Sequence, residues 1–170
     1  MNETDHTSRS YAGPMAVTIS LESVTSRDAQ TVLDAAVVEL NRRYGGSDDG
    51  PKLLPSELEP PRGLFLVARL DQELVGGVGL RSIGPADELI GEVKRLWVRD
   101  DFRRLGIASS LMSSLEQHAK IIGYLQLFLE TGWAQPEAQA FYPKHLWQPV
   151  EEFPFGAHSH EGAFRFTKVL

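Results

Sequence analysis

The feature that most constrains this chain is a strand-to-helix junction near its middle, with the sequence EVKRLWVRDDFRRLGIASSLM over residues 92–112. Its first seven residues are typical of an extended strand, and its last residues have the apolar spacing of an amphipathic helix. At such a junction several backbone N–H groups converge, and the helix dipole adds partial positive charge. Arg103 and Arg104 add two full charges at the same corner. The junction therefore predicts a site for a small anion such as a diphosphate.

The composition of the chain limits the functions that this corner can serve. With 170 residues, 42% of them hydrophobic and 24% charged, the chain fits one globular domain. The net charge of −6 argues against general affinity for nucleic acid, so we expect no nucleic-acid partner. The absence of cysteine and the spacing of the five histidines predict no disulfide, no thiolate nucleophile and no metal site.

The sequence also carries indications of compartment and domain organisation. No stretch reaches the ~18 apolar residues that a membrane span needs, so we expect no membrane partner. The polar N-terminus lacks the apolar segment of a secretory signal, which favours a cytoplasmic protein. We expect a disordered tail over residues 1–14 and a single domain over residues 15–170.

The periodicity of apolar residues predicts the element order β-α-loop-β-β-β-α-β-α-β-β. Strands are expected over 17–22, 64–69, 74–83, 89–98, 125–130, 147–152 and 163–169. Helices are expected from a cap at Thr25 or Ser26 to Arg43, over 104–122, and from Pro136 to Tyr142 or Leu146. The second helix can join two parallel strands by a right-handed crossover. Glycines at positions 76, 77 and 79 predict a bulge or a close backbone approach in the third strand.

The corner and the element order together resemble the GNAT acetyltransferase superfamily. The signature of that family, Gln/Arg-x-x-Gly-x-Gly/Ala, is matched at each fixed position by Arg-Arg-Leu-Gly-Ile-Ala over residues 103–108. Residues 92–98 are similar to the family strand that holds the pantetheine arm, and residues 129–142 resemble its second motif. The resemblance implies a mixed α/β fold of the GNAT type, in which helices flank both faces of a central, mixed but mostly antiparallel β-sheet. It also implies acetyl-CoA as co-substrate.

The resemblance implies a set of residues that bind coenzyme A. The arginines and the backbone N–H groups of residues 105–109 would hold the pyrophosphate, and Gly106 would let the backbone approach it closely. The pantetheine amides would pair with a strand that splays from its parallel neighbour. Gln135 occupies the position of a family Asn that contacts the coenzyme. The full predicted set is Leu96, Trp97, Val98, Arg103, Arg104, Leu105, Gly106, Ile107, Ala108, Ser109 and Gln135.

Two residues are predicted to move protons. Tyr142 occupies the family position of a general acid, because a phenol with a pKa of about 10 can protonate a leaving thiolate. Its alternative role is that of a packed aromatic side chain. Glu92 is the candidate general base, and its alternative role is that of an ion-pair partner for Lys94 or an arginine. Glu130, the other carboxylate nearby, would orient the loop that follows it.

The predicted function is transfer of an acetyl group from acetyl-CoA to a primary amine of a small molecule or peptide, by direct attack in a ternary complex. A non-catalytic acyl-CoA-binding or regulatory module stays open, since residues 144–147 depart from the family pattern. A dinucleotide-binding domain is weaker, because the first strand is not followed by GxGxxG. A homodimer is compatible with the sequence. Candidates for the acceptor pocket are Tyr44, Trp133, Phe153, Phe155, His158 and His160.

Overall fold

The computed structural model describes residues 16–46, 53–85, 87–156 and 162–170. Its strands and α-helices follow the predicted order. They are β1 (Val17–Glu22), α1 (Arg27–Tyr44), β2 (Leu64–Leu70), β3 (Glu73–Ile83), β4 (Ile90–Val98), α2 (Ile107–Ile122), β5 (Gln126–Thr131), α3 (Pro136–Lys144), β6 (Gln148–Val150) and β7 (Phe164–Val169). The expected tail over residues 1–14 and the candidates His158 and His160 lie outside the described residues.

The strands form one seven-stranded sheet in the order β1-β2-β3-β4-β5-β7-β6. Strands β4 and β5 are parallel and are connected by α2, while the other neighbours are antiparallel. This confirms the predicted mixed, mostly antiparallel sheet. The topology also brings the C-terminal ends of β4 and β5 next to each other in the interior of the sheet.

Helices cover both faces of this sheet, as predicted. In β2, Leu66 and Ala68 pack in the cluster that contains α2 and α3, while Phe65 and Val67 pack in the cluster that contains α1. Successive side chains of a strand point to opposite faces, so the two clusters lie on opposite sides. Both clusters are built from the apolar stripes that predicted the helices, and the α2 stripe is buried at Ile107, Leu111, Met112, Leu115 and Ala119.

The bulge predicted in β3 lies at its start, where Leu74 and Gly76 pair with the adjacent residues Arg69 and Ala68 of β2. A second bulge lies where β3 meets β4, with its extra residue on β4. Gly77 pairs with Trp97 and Gly79 pairs with Lys94, so one residue of β3 faces two residues of β4. The extra residue is accommodated at Arg95, whose φ is 56°. A Cβ on Gly77 would lie 2.7 Å from a backbone oxygen of β2, which explains the glycine. The bulge redirects the second half of β4, immediately before the basic corner.

The predicted start of the second helix is wrong by three residues. We expected a helix over 104–122, but α2 begins at Ile107. Arg104 and Gly106 have φ values of 67° and 80°, which are incompatible with a right-handed helix. Residues 103–106 are therefore a turn that leads into the helix. Strand β6 is also shorter than expected.

Within the described residues, no helix combines the length and apolar character required to cross a bilayer. The same part of the chain contains no group of three or more His, Asp or Glu side chains arranged to hold a metal ion.

Candidate active site

Strands β4 and β5 separate soon after they start. Their pairing runs only from Ile90–Gln126 to Glu92–Phe128, whereas β5 stays paired with β7 to its end. Beyond Glu92, the side of β4 that faces β5 therefore has no strand partner in the described structure. A cavity of about 580 Å³ occupies the opening and is lined by α1, β4, the corner, β5 and α3.

The basic corner lies at one end of this cavity. Gly106 caps α2 in a left-handed conformation, and the first hydrogen bond of the helix is donated by Ser110 N to Gly106 O. The N–H groups of the preceding residues in the first turn have no carbonyl partner within the helix. A Cβ added at Gly106 would meet no atom of the described protein within 4 Å, so there is space beside these donors. The corner can therefore accept an anion without rearrangement of the helix.

The two arginines of the corner differ in their surroundings. Arg103 Nη2 lies 2.6 Å from Glu39 Oε2 and 2.9 Å from Asp100 Oδ1, and its Nε donates to Val98 O at 2.8 Å. Arg103 thus links the corner to α1 and to the end of β4. The side chain of Arg104 is exposed, and no described residue pairs with it. Arg104 is therefore the arginine that can reach an incoming anion without breaking an existing contact.

Glu39 is a cavity residue that the sequence reasoning missed. It accepts hydrogen bonds from Trp97 Nε1 at 2.9 Å and from Arg43 Nη2 and Arg103 Nη2, each at 2.6 Å. Burial raises the pKa of Glu39, but these guanidinium groups outweigh burial and lower it overall. Its spacing in the sequence could have identified it as a partly buried acid. Glu39 follows the buried Ala36 by three residues, which places it on the face of α1 that packs against the sheet.

Glu92 is in the ion-pair arrangement that the sequence left open as its alternative. The residue is 5% exposed. Its Oε2 accepts a hydrogen bond from Arg81 Nε at 2.7 Å, and its Oε1 accepts one from Lys94 Nζ at 2.9 Å. Glu92 is not among the residues that line the cavity. Its geometry is that of a buried structural charge, and it does not favour a general base.

Glu130, in contrast, lines the cavity at the end of β5. Its side chain is 12% exposed, and Arg165 Nε lies 3.5 Å from its Oε2. Lys94 lines the opposite wall, with 27% of its side chain exposed. Of the two carboxylates that the sequence singled out, the one that lines the cavity is thus on β5 and not on β4.

Tyr142 reaches the cavity from α3 and is 6% exposed. Its ring packs against Phe166 and Trp147 at centroid distances of 5.5 and 6.1 Å. Its hydroxyl forms no hydrogen bond with any described residue, and burial raises its pKa above the ordinary value for a phenol. Pro143 does not end the helix, which continues to Lys144. Tyr142 therefore presents a protonated, unpaired hydroxyl to the cavity.

Gln135 holds the loop between β5 and α3. Its Oε1 accepts hydrogen bonds from Thr131 Oγ1 at 3.2 Å and from Gly132 N at 3.3 Å. Next to it, Tyr44 and Trp133 form an edge-to-face pair with centroids 5.6 Å apart. The side-chain oxygen of Gln135 is thus used within the protein.

The structure brings nearly all predicted coenzyme-binding residues together. Of the predicted set, Leu105 is the one residue that does not line the cavity. Tyr142, the predicted general acid, lines the same cavity. A further residue near the corner, His145, was not predicted as part of the site. Its Nε2 lies 2.8 Å from Ser109 Oγ in the first turn of α2.

Comparison with known proteins gives a family match across this site. Residues 34–146, more than half of the chain, match the model of the acetyltransferase (GNAT) family. The human protein N-acetyltransferase 8 is 33% identical over 99 residues, which cover 55% of this chain and 42% of that protein. The match thus spans less than half the length of that relative.

Solved structures share the fold. An acetyltransferase of the GNAT family from Staphylococcus aureus superposes with a TM-score of 0.70 at 17% identity, covering 91% of this chain and 99% of that one. PaiA N-acetyltransferase from Thermoplasma acidophilum, solved with coenzyme A, gives 0.66 at 18% identity over 92% and 100% of the two chains. A GNAT acetyltransferase from Elizabethkingia anophelis, solved with acetyl-CoA, gives 0.63 at 20% identity over 91% and 98%.

Proposed function

The chain belongs to the acetyltransferase (GNAT) family, and we propose that it transfers an acetyl group from acetyl-CoA to a primary amine of a small molecule or peptide while both substrates are bound. The observation that carries this proposal is the separation of β4 from β5 beyond Glu92–Phe128, directly beside the N-terminus of α2. An unpaired strand edge next to a helix N-terminus suits a ligand that has amides along its length and a phosphate at one end.

The cavity residues fit the donor. The N–H groups at the start of α2 and the exposed guanidinium of Arg104 would hold the pyrophosphate, with space beside Gly106. A helix N-terminus stabilises an anion by about 0.3–1 kcal/mol, and charged hydrogen bonds add to this. Arg103 would keep its bonds to Glu39 and Val98 and so hold the corner in shape. The free edge of β4 at Leu96, Trp97 and Val98 would pair with the pantetheine amides.

The proton transfers are assigned to two cavity side chains. The bound thioester supplies an activated carbonyl that the amine attacks directly. Glu130 would accept the amine proton, because it lines the cavity, while both oxygens of Glu92 are held by cations. Tyr142 would donate a hydrogen bond to the leaving sulfur, and its raised pKa keeps the hydroxyl protonated for that purpose. A backbone N–H near Val98 would polarise the carbonyl oxygen.

Two measurements on the purified protein test this function. Acetyl-CoA at 100 times its Kd should stabilise the native state by about 2.7 kcal/mol, which raises Tm by several degrees. Release of free thiol should then depend on an added amine. If acetyl-CoA leaves Tm unchanged, the donor assignment fails. If the protein is stabilised but no amine in a broad panel releases thiol, the chain is a non-catalytic acyl-CoA-binding module.

A further inference from the structure

Two opposite charges face each other across the opening between β4 and β5. The last registered pair of these strands is Glu92–Phe128. Lys94 lies two residues beyond this pair on β4, and Glu130 lies two residues beyond it on β5. Both residues line the cavity. They therefore occupy equivalent positions on its two walls, at the point where the strands begin to separate.

Both side chains point to the same face of the sheet. The intervening residues Val93 and Leu129 are buried in the cluster that contains α2 and α3. Because side chains alternate along a strand, Lys94 and Glu130 point to the face covered by α1. The first turn of α2, with its anion site, packs in the other cluster. These two charges are thus on the opposite face of the sheet from the first turn of α2.

Neither charge neutralises the other. Lys94 pairs with Glu92, and Glu130 pairs with Arg165 at 3.5 Å, but the described structure has no ion pair between Lys94 and Glu130. Even paired strands lie about 4.8 Å apart, and here the strands have already separated. A molecule between the two walls would therefore meet the Lys94 ammonium, shared with Glu92, on one side and the Glu130 carboxylate, shared with Arg165, on the other.

From this arrangement we infer that the acceptor is an α-amino acid, bound through both of its charges. The inference rests on the proposed function. Lys94 binds the carboxylate of the acceptor, and Glu130 lies beside its amino group. The ammonium group of the acceptor first loses one proton to Glu130, which releases it to solvent. The nitrogen then bonds to the acyl carbon as the carbon–sulfur bond breaks, and the second proton lost by nitrogen balances the one that the thiolate takes up.

Matched acceptors test the inference. We would measure thiol release with phenylalanine, leucine, alanine and lysine, and for each with its amide and its decarboxylated amine. Loss of a charge-assisted contact typically costs ten- to a hundredfold in kcat/KM, so we expect the free amino acid to exceed its amide and amine by roughly that factor. Equal rates within every set, or no turnover of any amino acid, would overturn the inference. Turnover of the amines alone would leave the proposed function intact.

Variants of Lys94 locate the effect. Lys94→Met should bring the rate of the amino acid down to that of its decarboxylated amine in the same variant, because only the amino acid has a carboxylate contact to lose. Lys94→Arg should retain most of the preference, since it keeps the charge. Lys120→Met, an exposed lysine of α2, is the control and should change neither rate. If Lys94→Met lowers the rates of the amino acid and of its amine equally, or if it abolishes the donor-induced shift in Tm, Lys94 does not bind the carboxylate of the acceptor.

Discussion

The two glycines that bound α2 offer a direct test of the donor site. Gly106 precedes the helix and Gly123 follows it, with φ values of 80° and 105°. A Cβ at either position would meet no protein atom within 4 Å in the described structure. Replacement by alanine should therefore cost each variant only the strain of a left-handed residue, about 1–2 kcal/mol. For a chain of this size, that corresponds to a fall in Tm of about 2–8 °C.

Donor binding should separate these two variants. In Gly106→Ala the new methyl group enters the space beside the first N–H groups of α2, and we expect the Kd for acetyl-CoA to rise at least about tenfold. At 100 times the wild-type Kd, the donor stabilises the wild type by about 2.7 kcal/mol. A tenfold weaker site leaves about 1.4 kcal/mol at the same concentration. Gly123→Ala should keep the full 2.7 kcal/mol, because its methyl group is at the far end of the helix.

Thermal melts with and without acetyl-CoA, together with titration calorimetry, measure both quantities. Because both variants carry the same backbone strain, their loss of stability without acetyl-CoA should be similar. The difference between their donor-induced shifts in Tm therefore reports on the binding site alone. Equal donor-induced shifts in the two variants would refute the placement of the pyrophosphate at this corner.

Three further predictions concern single side chains. Tyr142→Phe should lower kcat about 10- to 100-fold and leave the donor-induced shift in Tm unchanged, because only the hydrogen bond to the leaving sulfur is lost; unchanged kcat would exclude that bond. Glu130→Gln should lower kcat/KM with a smaller loss of stability, whereas Glu92→Gln should reduce the free energy of unfolding in urea by about 3 kcal/mol, because a buried carboxylate that pairs with both Arg81 and Lys94 is lost. The reverse pattern would restore Glu92 as the base. Folding lowers the pKa of Glu39, so its ionised carboxylate adds to the free energy of unfolding. This contribution is fully present above the unfolded pKa of about 4.3 and is lost as pH falls through the folded pKa. The stability difference between wild type and Glu39→Gln should therefore shrink below about pH 4, and a constant difference would contradict the ion-pair network.

The sequence predicted the order of the strands and helices around the basic corner, because these elements depend on local signals. The apolar stripe of α2 and the glycines of β3 are patterns that extend over short stretches of sequence, and periodicity and turn chemistry describe such stretches. The three-residue error at the start of α2 arose at Arg104. Arginine is a good helix former, so the pattern continued the helix into a residue that the structure holds at a φ of 67°.

The side-chain assignments were harder to predict, because they depend on contacts between residues far apart in the chain. Glu39 meets Arg103 across 64 positions, and no local pattern pairs them. Glu92 has Lys94 two residues away, which the sequence shows, but its second cation, Arg81, comes from the adjacent strand. The register Arg81–Glu92 follows only from the β3–β4 pairing. The ion pair between Glu92 and Arg81 could therefore be recognised only once the strand register was known.

The same register explains why Glu130 lines the cavity and Glu92 does not. Glu92 lies at the last position where β4 and β5 are still paired, so its side chain is enclosed by β3 and its cations. Glu130 lies two residues beyond that position, where the strands have separated and the wall is open. A shift of two residues along a strand keeps the side chain on the same face and moves it about 6.6 Å. That distance is enough to carry a carboxylate from the sealed part of the sheet into the cavity. The point at which the parallel pairing ends therefore decides which of these two acids lines the cavity, and it also places Lys94 on the opposite wall.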